Sequence, residues 1–278
     1  MTCKITWISQ EEWIQKTRRQ QMKTLVKSAN EAWSGSLGTV FHEGQDIAVR
    51  GIMTKELLNI ETQVSMSHPE VNLPERKLNK KFRAAEAAWI LSGSNKVDLI
   101  TKYCKQYGNY SDDGLFMSGA YGPPVIDQLP YIVKSLITDR TTRQAVLTIW
   151  RPRPYPSKDI PCTVSMQWLI RDDQLHCITN MRSNDIWLGA PYDIFTFSMV
   201  SNYLLLLLNE CTTSKVSLGL LYLNAASLHL YIQHWEEAEK AYSDIEWDQD
   251  ELSLWKGNNE NFKKPEDLIE YLWSQANS

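Results

Sequence analysis

The chain has 278 residues, 43% of them hydrophobic, enough for one sizeable core, and no Gly/Ser-rich or Pro-rich linker divides it, so residues 1–278 read as a single domain. A formal net charge of −4 argues against a surface that grips polyanions; a few arginines can still hold a small anion, but nucleic acid is not expected as a partner. The five cysteines, Cys3, Cys104, Cys162, Cys177 and Cys211, are widely spaced, form no CxxC pair and have no histidine at zinc-ligand spacing, so a reduced, cytoplasmic protein without a metal is expected.

In chain order, the opening MTCKITWISQEEW lacks the basic, apolar, small-residue sequence of a signal peptide. Ser9 and Glu12 form a capping-box pattern, and apolar spacing predicts a first amphipathic helix to about Trp33. Residues 37–66 are mixed, with Gly38, Gly44 and Gly51 punctuating β-like runs such as ELLNIETQV. Pro74 stands where a helix can begin and Gly93 where it ends, enclosing RKLNKKFRAAEAAWILS. Further helices are predicted at 95–107, 127–138, 191–210 and 265–276. Between them lie four strand candidates, 145–150, 162–170, 174–181 and 215–223, rich in β-branched and aromatic residues with partial alternation. The longest apolar run, Leu204 to Leu208, is far below the roughly 20 residues needed to span a bilayer and reads as a buried helix, so no membrane is implied. The fold class that follows is α+β.

Two segments draw attention for chemistry. In KDIPCTVSMQWLI, Cys162 follows the proline-rich loop RPRPYPSKDIP at the start of a strand, where a thiol can face a cleft while the sheet fixes its backbone. A small buried hydrophobe suits the same place. About 20 residues on, Arg182, Ser183, Asn184 and Asp185 follow a strand and precede a tight turn at Gly189 to Pro191, presenting a cation and a hydroxyl at a strand end. A guanidinium there can bind phosphate bidentately and lower the pKa of a nearby thiol; an ordinary surface Arg/Asp pair would look the same.

Cys162 in a Pro-Cys dipeptide, RSND at 182–185, LGAPYD at 188–193 and SLHLY at 227–231 together resemble the thymidylate synthase family, in particular its pyrimidine hydroxymethylase branch. RAAEAAWILSG, SGAYG and DRTTRQAVLTIW resemble the family's glutamate-bearing helix, its tyrosine-glycine turn and its arginine segment, in the right order, over about residues 75–240. The resemblance implies a mixed β-sheet with helices packed on one side and a homodimer formed through the sheet. It implies a reaction in which Cys162 attacks C6 of a pyrimidine nucleoside monophosphate and C5 captures the methylene group of 5,10-methylenetetrahydrofolate. By the same resemblance Glu86 organises water and proton transfer, Tyr121 stands near the C5 proton, Arg182 and Ser183 hold phosphate, and Arg143 reaches the phosphate from the neighbouring subunit. Gln144 follows Arg143 where the family often has a second arginine. Arg50 matches a further phosphate arginine, although the glycines around it depart from the family. His229 and Tyr231 match the pair at the sugar 3′-hydroxyl, Asp185 the aspartate that meets the folate pterin, and Gln167 a glutamine lining the nucleotide pocket.

Asp193 is the informative departure, because thymidylate synthases carry asparagine at this position. A carboxylate accepts from the N4 amino group of cytosine, and with a shared proton it also satisfies N3, whereas it opposes O4 of uracil. A mismatch of this kind costs about 1–3 kcal/mol per unsatisfied buried group, so cytosine, and dCMP or CMP as substrate, is expected. Aspartate is also a favoured helix N-cap, a structural reading of the same residue. The terminal EDLIEYLWSQANS differs from the tail with which reductive synthases shield the exocyclic methylene, so addition of water and a 5-hydroxymethyl product are expected. Reductive methylation of a pyrimidine nucleotide and noncatalytic nucleotide binding are the alternatives.

Overall fold

The computed structural model describes residues 28–152, 156–243 and 262–278. Helix α1, Ala29–Glu43, begins at Ser28, whose side chain accepts from the backbone of Glu31 while the Glu31 carboxylate accepts from the backbone of Ser28. That reciprocal pair satisfies two of the amide donors left open at a helix start. The capping box read at Ser9 and Glu12 lies outside the described residues. The expected end at Trp33 is too early: the helix runs ten residues further, through Gly35 and Gly38, with Trp33, Leu37 and Val40 on its buried face.

Strands β1 (Gln45–Val49) and β2 (Ile52–Ser65) form a hairpin whose two-residue turn, Arg50–Gly51, has positive φ at both positions, as the tight turn matching strand twist demands. Pro74–Arg76 is a single 3-10 turn closed by Lys77 in the left-handed region, so helix α2 starts only at Lys80 and runs to Leu91, capped by the Asn79 side chain on the amide of Phe82. The short helix α3 (Val97–Thr101) is followed by a 3-10 turn, Lys105–Tyr110, where one longer helix had been read. Helix α4 (Gly122–Thr138) begins five residues earlier than expected, on Pro123 and Pro124, which fit a first turn because their missing N–H groups need no partner there.

The remaining strands are β3 (Val146–Thr148), β4 (Thr163–Arg171), β5 (Gln174–Met181), β6 (Asn184–Asp185) and β7 (Ser217–Tyr231). They join the hairpin in a sheet of order β1-β2-β7-β5-β4-β3, with β6 pairing β7; β7 runs parallel to β5 and β6, and the other pairs are antiparallel. A mixed sheet results. Its residues alternate in burial: Met166, Trp168 and Ile170 on β4, Cys177 and Met181 on β5, and Leu221, Leu223 and Leu230 on β7 form a closed core face.

Helix α5 (Ala190–Cys211) lies against that face and is nearly all buried, with Trp168 donating to the Ser201 hydroxyl at 3.0 Å. It is long and apolar enough to cross a membrane, yet most of that stretch is inside the protein, where such a helix forms core. Helix α6 (Trp235–Ser243) packs on α1, and α7 (Pro265–Asn277) packs on α2 through Leu268 and Leu272. The fold is α+β with a mixed open sheet, the class that the sequence predicts.

Candidate active site

The parallel pairing of β5 with β7 brings the end of β5 and the second half of β7 to one end of the sheet, and the antiparallel β4 starts there. Cys162 stands immediately before β4, and its carbonyl accepts from the Arg182 amide at 2.8 Å, so the two segments that drew attention in the sequence are hydrogen-bonded neighbours. The Arg182 guanidinium donates to the carbonyls of Ile160 and Pro161 and to the Ser183 hydroxyl, each at 3.0 Å. Three of its five N–H groups thus brace the loop before the cysteine, and two remain to face an anion. Ser183 in turn donates to the Cys162 sulfur at 3.7 Å.

Burial and the carboxylates Asp193 and Asp159 push the Cys162 thiol up, and Arg182 and Ser183 pull it only partly back. The sequence suggested an arginine that lowers this pKa, and Arg182 does act in that direction. Its effect is outweighed because the sulfur lies in a cleft where a charge loses water.

Opposite the thiol are three groups from three elements. Tyr121, just before α4, accepts at its hydroxyl oxygen from the Thr163 amide at 3.1 Å, near enough to Cys162 for a thiolate there to raise its pKa. Gly122 fixes this placement, since a Cβ there would lie 2.5 Å from the Ser94 carbonyl. Glu86 on α2 faces the cleft; burial raises its carboxyl to about 7, against the opposing pull of the Tyr107 and Thr196 hydroxyls. Tyr107 donates a hydrogen bond to that carboxylate.

Asp193 is the fourth residue of α5 and its amide donates to the Gly189 carbonyl at 3.0 Å, as in any helix interior. The N-cap is Gly189 and no side chain caps it, so the capping role suggested for Asp193 is not the one it fills. Its carboxyl is near enough to Cys162 to act on the thiol, and burial first and then the charges of Glu86 and Asp185 hold it well above the usual carboxylate range. Cys162, Glu86, Tyr121, Asp193 and Ser183 are all partly exposed amid a buried surround, as walls of an open cleft are.

Asp185, His229 and Tyr231 share the same end of the sheet. Asp185 is paired with His229 across β6 and β7, and its carboxylate accepts from the amides of Trp187 and Leu188 at 2.9 and 2.8 Å. His229 and Tyr231 pack edge to face at 5.2 Å. Arg50 is exposed at the tip of the β1–β2 hairpin, and because Thr54 pairs with Tyr231 the tip projects beyond that end of β7.

Two expected site residues are not brought to this cluster. Gln167 lies five residues along β4 from Cys162, about 16 Å at strand rise, on the face turned away from the core, and its amide donates to the Arg143 carbonyl at 2.7 Å. Within one chain, Gln167 is therefore on the outer sheet face and not beside Cys162. Arg143 is exposed beside it.

Sequence reading missed several residues that the fold brings in. Tyr107 reaches Glu86 from 21 positions away, and Arg76 lays its guanidinium on Trp187 (5.1 Å) and Tyr192 (5.9 Å) while donating to the Trp187 carbonyl at 2.8 Å. No local pattern marks Tyr107; for Trp187 and Tyr192, the signal was their position inside the segment NMRSNDIWLGAPYDIF. Among the described residues no cluster of metal-ligating side chains occurs.

Compared with known families, residues 31–269 match the one described as thymidylate synthase. The deoxyuridylate hydroxymethyltransferase of Bacillus phage SP01 is 28% identical over 269 residues, covering 87% of this chain and 68% of that protein. The protein of the same description from Pseudomonas phage M6 is 35% identical over 125 residues, 42% of this chain and 36% of that one. A thymidylate synthase of Francisella philomiragia is 22% identical over 221 residues, covering 68% and 72% respectively.

Proposed function

The chain belongs to the thymidylate synthase family, and from that membership we propose that it transfers a one-carbon unit from 5,10-methylenetetrahydrofolate to C5 of a cytosine nucleotide, dCMP ahead of CMP, and finishes with water to give the 5-hydroxymethyl product. The observation that carries the choice of base is the Asp193 carboxyl, a half-buried group that does not cap its helix and lies close enough to Cys162 for its charge to raise the thiol. A carboxyl in that position accepts from an N4 amino group, and its proton, retained by burial, is offered to N3.

In this reading Cys162 adds to C6 as thiolate, and Tyr121 stands by the C5 proton that must leave. Arg182, Ser183 and Arg50 hold the phosphate, and His229 and Tyr231 the sugar. The folate supplies the electrophilic carbon. Its pterin meets Asp185, while the ring of Trp187 and the cation of Arg76 suit its aromatic and acidic parts. Glu86 handles the water and protons. Residues 1–278 act as one catalytic domain in a reduced compartment, the cytoplasm.

The site is completed in a homodimer. The Arg143 carbonyl is hydrogen-bonded to Gln167, which stands about 16 Å along β4 from Cys162, on the outer face where Gln167, Ile178 and Tyr222 form a cross-strand row. A second sheet packed on that face receives Arg143 at its own phosphate.

A uracil nucleotide is the second reading, favoured by one observation: a protonated Asp193 carboxyl has an O–H for O4 and a C=O for N3–H, as an amide would. The phage relatives are described as acting on deoxyuridylate.

Competition among dCMP, CMP and dUMP with methylenetetrahydrofolate, read by product mass, tests both points. A preference for dCMP of about tenfold or more and a product retaining one oxygen support the reading. Preference for dUMP overturns the base assignment, and stoichiometric dihydrofolate with a methyl product overturns the water step. Asp193→Asn is expected to move the dCMP/dUMP ratio of kcat/KM toward dUMP by about 10²-fold.

A further inference from the structure

Among the described residues, Tyr107 is the one side chain of the Lys105–Tyr110 turn bonded to the Glu86 carboxylate, through its hydroxyl. Its ring is wedged between Phe82 (5.3 Å) and Trp89 (6.4 Å), residues of the same helix as Glu86 on either side of it, with Tyr110 closing the third side at 6.4 Å. A phenol held this way has one direction in which to point its proton, and Glu86 is there.

We propose that Tyr107 is the positioning residue that holds the Glu86 carboxylate in the orientation and charge state needed to take the proton of the water added at the C5 methylene. The inference rests on the reading that water, not hydride, completes the reaction.

In that step the water oxygen forms a bond to the exocyclic methylene carbon, and one water proton passes to the Glu86 carboxylate. The methylene π pair moves into the ring toward C4 and its exocyclic atom; its return re-forms the C5–C6 double bond and expels the Cys162 thiolate from C6. No oxidant or reductant is consumed. A carboxylate can accept the proton only while ionised, and one oxygen must stay free for the water. Tyr107 occupies Oε1; among the described residues no hydrogen bond reaches Oε2, and the nearby Thr196 hydroxyl makes none.

The groups that face Glu86 set how easily it ionises. Tyr107 comes from the turn after α3, and Asp193, Tyr192 and Thr196 come from α5; Tyr121 at the start of α4 adjoins Tyr107. Burial opposes its ionisation, and the Tyr107 hydrogen bond is the largest influence favouring it. With a carboxyl near 7, removing that donor moves ionisation to higher pH.

The test is Tyr107→Phe in the full-length enzyme, which keeps the ring and its three aromatic neighbours and removes only the donor. Wild type and variant are compared in kcat against pH, with the product identified by mass and 2-mercaptoethanol added to capture the electrophilic methylene as a thioether. The expected result is an acidic limb displaced upward by about one pH unit, hydroxymethyl turnover reduced about tenfold at pH 6.5 and largely regained by pH 9, KM little changed, and thioether rising at the expense of hydroxymethyl product. An unmoved pH limb and an unchanged product ratio, in a wild type that does make the hydroxymethyl nucleotide, overturn the assignment of Tyr107. A wild type that makes only methyl product overturns the water reading itself, so the two failures are told apart. Loss of activity equal at every pH, with no gain in thioether, marks a packing role alone and also overturns the proposal.

Discussion

Glu86 keeps a proton that an exposed glutamate would have released, and this sets its cost as well as its use. In the unfolded chain it ionises near the usual 4.5, while in the folded protein the carboxyl is raised to about 7. Between those values the unfolded chain has lost a proton the folded one retains, so stability falls as pH rises through this window and the deficit is fully present above about 7. Glu86→Gln removes the ionisation and keeps an acceptor for Tyr107. The variant is expected to be catalytically inert yet more stable than wild type at pH 8, by about 1–3 kcal/mol, with the advantage gone at pH 4.5; equal denaturation midpoints at pH 8 would refute the account. At this scale the sequence was informative where function is written in a short string. Cys162, Arg182, Ser183, Asp185 and Asp193 lie in two local motifs, and the fold joins them through one backbone hydrogen bond. Tyr107 was illegible because its meaning lies in a partner 21 residues away.

Among the elements, those with one dominant signal were read closely, and those with competing signals were not. Strand β5 was legible end to end, and the buried helix α5 to within a residue at each end, because alternation in one and an unbroken apolar run in the other leave no second reading. Helix α1 was cut short at Trp33 because glycine counts as a breaker in a local reading. Gly38 is in fact helical, and a Cβ there would meet Tyr242 of α6 at an ordinary 3.8 Å, so the glycine neither breaks the helix nor is demanded by its packing. Similarly Pro74 opens a 3-10 turn, and the left-handed Lys77 delays α2 by six residues. Gly122 is the element-level device with the clearest effect on the site. Gly122→Ala places a methyl against the Ser94 carbonyl, which is backbone and cannot swing aside. The α4 start carrying Tyr121 must then shift, with an expected loss of about 1–3 kcal/mol in denaturant unfolding and a disproportionate fall in kcat. Stability lost without any fall in kcat would separate the turn from the chemistry.

The whole molecule divides its work between the two faces of one sheet. The core face closes on α5, and the edge of that core is the cleft; the outer face bears half-buried Ile178, Leu220 and Tyr222 together with Gln167 and the exposed Arg143. Apolar side chains in the middle of an open sheet face are stabilised when a second sheet removes them from water, at about 25 cal/mol per Å² buried. The two-fold arrangement that does this uses the same patch on both copies. If each site takes Cys162 from one copy and Arg143 from the other, Cys162→Ala and Arg143→Ala are each inactive or nearly so as pure dimers. A mixed dimer then has one site lacking both groups and one site with both intact. Equimolar mixing with subunit exchange makes half the dimers mixed, so about a quarter of wild-type sites are restored. Activity that returns on mixing, in proportion to the mixed dimer seen by native mass spectrometry, is the expected outcome. A mixture as inactive as its parts, with mixed dimers present, would show that Arg143 serves no site across the interface, and the outer face would then need another explanation for its apolar row.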